Sequence, residues 1–549
     1  MESILNIKEA KTEIIHTVQA YLDKDETGAY TIPPERQRPI LLMGPPGIGK
    51  TAIMEQVAEE CGIGLVSYTI THHTRQSAIG LPFISRRIYG EKEYSVTEYT
   101  MSEIIASVYD QIEASGVREG ILFLDEINCV SETLAPTMLQ FLQYKTFGTH
   151  RVPDGYIIVT AGNPPQYNKS VRDFDIVTLD RLRRIDIEED FAAFREYASR
   201  VGIHGSVMAY LGIRSNHFYS IRTEVEGRHF VTARGWEDLS RTIQVHEKRN
   251  LPVDEDLAVQ FLQDPEIARS FAAYYDLYKK YKDIYRVPDI LEGRFFTVED
   301  PAGSTADAGH DEADEVRSRE VFLVDPVRVQ EMQEAPFDEK LSLISLLIDA
   351  LSRSFKDCAQ DKAVQELIMK EMSKVRMVLK EADSPEGSHR QKSLAAETIS
   401  AESSRILRAL QRRKDAGIPV SREEERVQRI ACRAMDQLAG EIREKAAAGT
   451  LTAREQYGLV KTWFAAREAG RQREIRQADE HLTNTFRFLS RVYGEGQEMV
   501  LFLTELSAGY YSLRFINEHG NESYFRLNRL LLLRDSTNTL RNEVIQLMD

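Results

Sequence analysis

The stretch Gly44-Pro45-Pro46-Gly47-Ile48-Gly49-Lys50-Thr51 decides how this chain reads. It meets every fixed position of the pattern G-x-x-x-x-G-K-[ST]. The apolar run Ile40–Met43 precedes it and the helical pattern Ala52–Ala58 follows, which is the strand-loop-helix setting that the pattern needs. Glycines let backbone N–H groups turn toward phosphates, and a helix N-terminus adds a favourable dipole. In such a loop Lys50 offers a point charge to the β- and γ-phosphates, and the Thr51 hydroxyl is a Mg²⁺ ligand. A chance glycine-rich turn would carry neither flank.

Outward from the loop, short apolar runs alternate with helical stretches between Pro39 and Asp186. Ile40–Met43, Gly64–Tyr68, Ile121–Leu124 and Ile157–Thr160 are the expected strands, and the alternation implies a parallel sheet with crossover helices. Ligands of such sheets gather at strand C-termini. The run Ile121–Leu124 ends there in Asp125-Glu126, about 75 residues after the loop. Asp125 is placed to help hold Mg²⁺, and Glu126 to polarise an attacking water. The run Ile157–Thr160 ends in Ala161-Gly162-Asn163, and the Asn163 amide can orient that water. A basic cluster follows, Leu179-Asp180-Arg181-Leu182-Arg183-Arg184. One of its three arginines, Arg181 first among them, is a candidate to meet a neighbour's γ-phosphate; the bland alternative is pairing with Asp180, Asp186 and Glu188. Near Thr232, a candidate helix cap, Arg234 sits at a helix start from which it can reach back to a nucleotide.

The chain has 549 residues, 42% hydrophobic and 28% charged, a globular balance with length for several domains. Asp and Glu outnumber Lys and Arg by 86 to 70, so the net charge of −16 disfavours phosphate backbones and anionic lipid as default partners. Four scattered cysteines without a CxxC pair argue against a disulfide framework or zinc site and fit a reducing compartment. Residues 1–10 do not read as a signal peptide, and no apolar run approaches the roughly 20 residues of a membrane span. A soluble, cytoplasmic protein is expected.

Residues 1–30 read as a helix and a polar turn. Residues 187–290 read as helices rich in Tyr and Phe. The acidic, small-residue stretch 299–315 reads as a linker, and 383–393, with Pro385 and Gly387, as a second break. Leu341, Ile344, Leu347, Leu351 and Phe355 form one helical stripe, and Ile406, Leu407 and Leu410 suggest another. The tail mixes an apolar helix with short strands around Tyr510–Ile516. The expected domains are 1–190 (α/β, nucleotide-binding, with an N-terminal helix), 191–298 (helical lid), 299–320 (acidic linker), 321–494 (helical) and 495–549 (a small mixed module).

The ordered set of phosphate loop, Asp-Glu strand, Asn strand end, Asp-Arg element and later Arg resembles AAA+ ATPases, and most closely the MoxR-type, dynein-related (helix-2-insert) group. The resemblance covers roughly residues 1–290. It implies an α/β P-loop core, a parallel sheet with flanking helices, followed by a helical lid and a mostly helical C-terminal region. Gly44, Pro45, Pro46, Gly47, Ile48, Gly49, Lys50 and Thr51 would be Walker A, and Asp125 and Glu126 Walker B. Asn163 would be sensor 1, Arg181 the arginine finger and Arg234 sensor 2. The stretch 71–100, with Arg75, Gly80, Leu81, Pro82 and Phe83, would hold insertions near a ring pore, although Ser77-Ala78-Ile79-Gly80 replaces the usual Asp-Leu-x-Gly. Adjacent His72 and His73 would point to opposite faces of a strand and make poor joint metal ligands.

The resemblance further implies a homo-hexameric ring that hydrolyses ATP with Mg²⁺ to remodel a protein partner, typically one bearing a von Willebrand factor A domain. The alternative is a nucleic-acid-directed motor subunit of a restriction or replication system. Charge separates the two: residues 75–98 mix Arg75, Arg86, Arg87 and Lys92 with Glu91, Glu93 and Glu98, while Arg412-Arg413-Lys414 and Arg471–Arg476 read as solvated helix faces. A switch that binds ATP without hydrolysing it fits poorly with Glu126, Asn163 and Arg181 all in place.

Overall fold

The computed structural model describes residues 4–72, 80–90, 92–167, 174–224, 227–294, 297–298, 322–323, 326–382, 393–415, 420–448 and 451–529. The expected linker 299–320, most of the second break, and Arg75, His73, Ser77, Ala78 and Ile79 lie outside the described residues, as does the His72 side chain. The chain divides into two compact units. The first is Met1–Ala193, Thr232–Arg234 and Lys370–Ala453; the second is Phe194–Val231, Gly235–Met369 and Arg454–Asp549.

In the first unit, helix α1 (Ile7–Leu22) starts at a reciprocal cap. Asn6 Oδ1 accepts from the Lys8 and Glu9 amides, and the Glu9 carboxylate accepts from the Asn6 amide. Strand β1 (Ile40–Met43), helix α2 (Lys50–Cys61) and strand β2 (Gly64–Thr69) follow, then the hairpin β3 (Pro82–Tyr89) and β4 (Lys92–Tyr99). Next come helix α3 (Glu103–Ser115), strand β5 (Gly120–Asp125), helix α4 (Ala135–Tyr144) and the short pair β6 (Thr146–Phe147) and β7 (His150–Arg151). Strand β8 (Tyr156–Gly162), the one-turn helix α5 (Ile176–Leu179) and strand β9 (Arg183–Asp186) complete the α/β part.

Five strands form one parallel sheet in the order β2-β5-β8-β1-β9, with Ile40 beside both Val159 and Arg183. Alternation along each strand divides the apolar side chains between two faces. Leu41, Leu122, Leu124 and Ile158 meet Ile104, Val108 and Phe141 of α3 and α4 on one side. Ile40, Leu42, Phe123 and Val159 meet Ile14 and Val18 of α1 and Met54 and Val57 of α2 on the other. Strands covered on both faces must be apolar throughout, which is why β1, β5 and β8 read as continuous hydrophobic runs.

All four expected strands are present. The fifth, β9, was not anticipated: its sequence Arg-Arg-Ile-Asp buries only Ile185, as an edge strand can. Residues 187–290 are not wholly helical either. A hairpin of β10 (Ser220–Glu224) and β11 (Gly227–Val231) interrupts them, and the exposure of Ile221 and Phe230 explains its weak apolar signal.

The second unit takes in helices α6 (Phe191–Val201, from Phe194) and α7 (Gly205–Ile213), most of α8 (Ala233–Arg249), and α9 (Glu255–Leu262), α10 (Pro265–Tyr285), α11 (Val287–Leu291) and α12 (Pro326–Glu334). It also holds the first part of α13 (Phe337–Ala382). Helices α14 (Leu394–Asp415) and α15 (Arg422–Ala448) belong to the first unit; most of α16 (Ala453–Tyr493), with α17 (Gln497–Ala508) and α18 (Tyr510–His519), belongs to the second. Residues Tyr510–Ile516, expected as short strands, are helical in α18, with Tyr511, Phe515 and Ile516 inward. The β-branched and aromatic content suggested strands, but i, i+4 burial won. Both expected stripes face inward, with Leu341, Ile344, Leu347, Leu351, Phe355, Ile406 and Leu410 buried. Among the described residues no helix is long and apolar enough to cross a membrane.

Candidate functional site

The sheet's topology brings the C-termini of β1, β5 and β8 side by side, and the expected site residues converge there. The loop after β1 turns through two left-handed glycines, Gly47 (φ +75°) and Gly49 (φ +100°). A Cβ on Gly47 would stand 2.9 Å from both Cβ and Oγ1 of Thr232, so only glycine fits. No side chain caps the N-terminus of α2, an arrangement suited to an anion.

Lys50 is 7% exposed and donates to three oxygens: Gly44 O at 2.8 Å, Pro45 O at 2.7 Å and Asn163 Oδ1 at 2.9 Å. Burial pushes its ammonium down to about 8; the Arg234 guanidinium adds to this, while the Asp125 and Glu126 carboxylates oppose it. Thr51 Oγ1 donates to Asp125 Oδ2 at 2.9 Å. That hydroxyl and that carboxylate are hard oxygen donors on adjoining elements, the set that Mg²⁺ prefers. The other oxygen of Asp125 accepts from the Glu126 amide at 2.9 Å. Glu126 adopts a left-handed backbone (φ +57°), unusual away from glycine, and its carboxylate accepts from Thr71 Oγ1 at 3.0 Å.

Asn128 was not anticipated. It is 3% exposed, and its Nδ2 donates to Asn163 O at 2.8 Å, holding the backbone that carries the Asn163 amide. Gly162 makes room for it: a Cβ there would lie 2.7 Å from Asn128 Oδ1. The available signal was a polar residue between Ile127 and Val130, three positions past Asp125. The Thr232–Arg234 segment also reaches this site, for the Arg234 amide donates to Gly47 O at 3.2 Å.

The three arginines of the basic cluster separate. Arg183 is taken up by Glu13 and by Thr17 Oγ1 at 2.7 Å, tying β9 to α1. Arg184 pairs with Asp186 at 2.8 Å. Arg181 is exposed, and its guanidinium donates to the neutral Gln143 Oε1 at 2.8 Å, with no ion pair among the described residues. In the β3–β4 hairpin the charges pair internally, Arg86 with Glu93 and Arg87 with Glu98, while Ile84 and Ile88 stand 76% and 73% exposed. Gly80 enters the hairpin at φ +102°, where a Cβ would collide with Thr100 O.

Fold and site together define a P-loop nucleoside triphosphatase. Residues 40–179 match the family described as ATPase family associated with various cellular activities (AAA), so the chain carries an AAA domain, the domain of an ATPase family that generally uses ATP and Mg²⁺. The match includes Gly44–Thr51, Asp125, Glu126 and Asn163 and ends before Arg181 and Arg234. No curated protein matches the chain.

Proposed function

We propose that this chain hydrolyses ATP in a cytoplasmic homo-hexameric ring and uses the cycle to remodel a protein partner, in the manner of MoxR-type ATPases. The reading rests chiefly on one observation: the phosphate-loop residues Lys50 and Thr51 hydrogen-bond Asn163 and Asp125 respectively, so that side chains from three separate strand ends meet. Gly44–Thr51 hold the phosphates, with Lys50 neutralising the β- and γ-groups. Thr51 and Asp125 hold Mg²⁺, which supplies electrostatic relief to the leaving phosphates. Glu126 polarises the attacking water and Asn163 orients it. Arg181, exposed and without an ion-pair partner among the described residues, supplies charge to the neighbouring subunit's γ-phosphate, and Arg234 reads the nucleotide from the start of α8.

The exposed isoleucines of β3 favour a protein over nucleic acid at that hairpin, because its arginines are already paired. A von Willebrand factor A domain protein is the partner class that the resemblance suggests. The test is ATPase rate against protein concentration, with mass measured in parallel, for the parent, Glu126→Gln and Arg181→Ala. Cooperative activity that appears with a large ring and is lost in both variants is expected. Activity in a monomer that survives Arg181→Ala would overturn the ring.

A further inference from the structure

The chain is acidic as a whole, yet its charge is unevenly placed. Residues 405–433 hold nine basic and four acidic side chains, net +5, within a chain of net −16. The described part of this stretch is the C-terminal half of α14 and the N-terminal half of α15. These helices pair through an apolar face that includes Ile406, Leu410, Ala431, Cys432, Met435 and Leu438. Ser403 Oγ donates to Asp436 Oδ2 at 3.1 Å across the pair.

Opposite that buried face, α15 presents Arg422, Arg426, Arg429 and Arg433, all exposed, at spacings of four, three and four. Such spacing sets side chains in one row, here about 16 Å long at 1.5 Å rise per residue. Nearby basic groups are neutralised: Arg413 by Glu424, and Lys414 and Arg429 by Glu425. Arg422, Arg426 and Arg433 meet no carboxylate among the described residues. Ion pairing between the two helices therefore leaves three positive charges along one ridge, and every one is arginine, the side chain whose planar fork suits phosphate.

We infer that this ridge docks the phosphate backbone of duplex nucleic acid, independently of sequence. The charge is complementary, and the absence of aromatics decides between duplex and single strand. Residues 394–448 contain no Phe, Tyr or Trp, so the two helices themselves offer no platform on which unpaired bases could stack. Backbone contacts alone bind without reading sequence. The inference does not depend on the ATPase reading, and it places nucleic acid on a different element from the β3–β4 hairpin.

The test is fluorescence anisotropy of a labelled duplex DNA with the full chain, from 50 to 200 mM salt. Single-stranded DNA of equal length and labelled polyglutamate run alongside. The parent should bind duplex in preference to single strand, with affinity falling steeply as salt rises. Arg422→Gln, Arg426→Gln and Arg433→Gln together should flatten the log–log salt slope by about 2.7, at about 0.9 per lost phosphate contact. The corresponding triple lysine variant should keep the slope. Circular dichroism melting of each variant separates a lost ridge from a lost fold, and the parent's own salt slope tests the inference even if the glutamine variant unfolds. No duplex binding by the parent at 50 mM salt, an unchanged slope in a folded glutamine variant, or binding of polyglutamate in place of duplex would each overturn it.

Discussion

Arg181 and Arg183 sit two residues apart, and the structure gives them different partners. Replacing Arg183 by Ala removes a partly exposed ion pair to Glu13 and a hydrogen bond to Thr17 Oγ1, a residue only 1% exposed. The pair contributes about 0.5 kcal/mol and the hydrogen bond about 1 kcal/mol, so Arg183→Ala should cost about 1–2 kcal/mol and lower Tm by roughly 2–8 °C. Arg181→Ala loses one exposed contact to Gln143 and should change stability by less than about 0.5 kcal/mol. On activity the order reverses. If Arg181 acts on the adjacent subunit, kcat should fall about 10³-fold or more, while Arg183→Ala keeps most of its rate below its melting transition. The decisive assay mixes two inactive proteins. Lys50→Ala lacks a working phosphate loop and keeps its Arg181; Arg181→Ala keeps its loop. In a randomly mixed ring of equal parts, about one interface in four joins an intact site to an intact arginine, so about a quarter of the parental rate should return. No return of activity on mixing, with rings verified by mass, would refute an arginine acting between subunits. So would a loss of rate in Arg183→Ala equal to that in Arg181→Ala.

Three further expectations follow from the same geometry. Asn128→Ala leaves the Asn163 carbonyl without its buried donor and should cost about 1–3 kcal/mol, with a lower kcat from a loosened Asn163; thermal melts and steady-state rates read the two effects separately. Gly47→Ala forces a left-handed backbone at about 1–2 kcal/mol and a collision with Thr232, so binding of a fluorescent nucleotide should fall sharply, and adding Thr232→Ala should restore only part of it; full restoration would show that φ is not the constraint. In the second unit, a hydrogen bond from His204, opposed by burial and aided by the charges of His204 and Lys282, holds the Glu247 carboxyl down to about 2. A depressed carboxyl stabilises the fold fully above its unfolded value and loses that contribution as pH falls through the folded one. The free energy of unfolding should therefore drop between about pH 5 and pH 2 by an amount on the order of 2 kcal/mol, read as a falling Tm, and Glu247→Gln should flatten that limb.

What could be read in advance follows burial and local pattern. Strands β1, β5 and β8 are covered on both faces, so their apolar runs are continuous and end visibly at Gly44, Asp125 and Asn163. Strand β9 could not be found that way, because it has a strand, β1, on one side only and so tolerates Arg183 and Arg184. The separation of the three arginines was likewise hidden, since it depends on Glu13 and Thr17, about 170 positions away. Asn128 escaped for a similar reason: a buried amide announces itself only when its acceptor, the Asn163 carbonyl, is seen beside it. The net charge of −16 is an average over the chain and says nothing about where basic side chains gather.

The second unit bears on what the residues after 320 are for. Tyr278, Tyr285, Val287, Ile290 and Leu291, from α10 and α11, lie in one hydrophobic core with Leu343, Leu347, Leu351 and Phe355 of α13 and Phe486, Leu489 and Phe502 of α16 and α17. Polar contacts repeat the link: Tyr274 OH meets Ser342 Oγ at 2.8 Å, and Arg195 meets Glu505 at 2.8 Å. The helices expected to form a separate lid thus share their interior with the C-terminal helices, and a chain cut near residue 320 would open that core to water. Helix α8 contributes residues to both units. Its first residues, Ala233 and Arg234, belong with the phosphate loop through the Arg234–Gly47 contact, while Trp236 is fully buried in the second unit with its indole N–H on the Phe218 carbonyl at 3.1 Å.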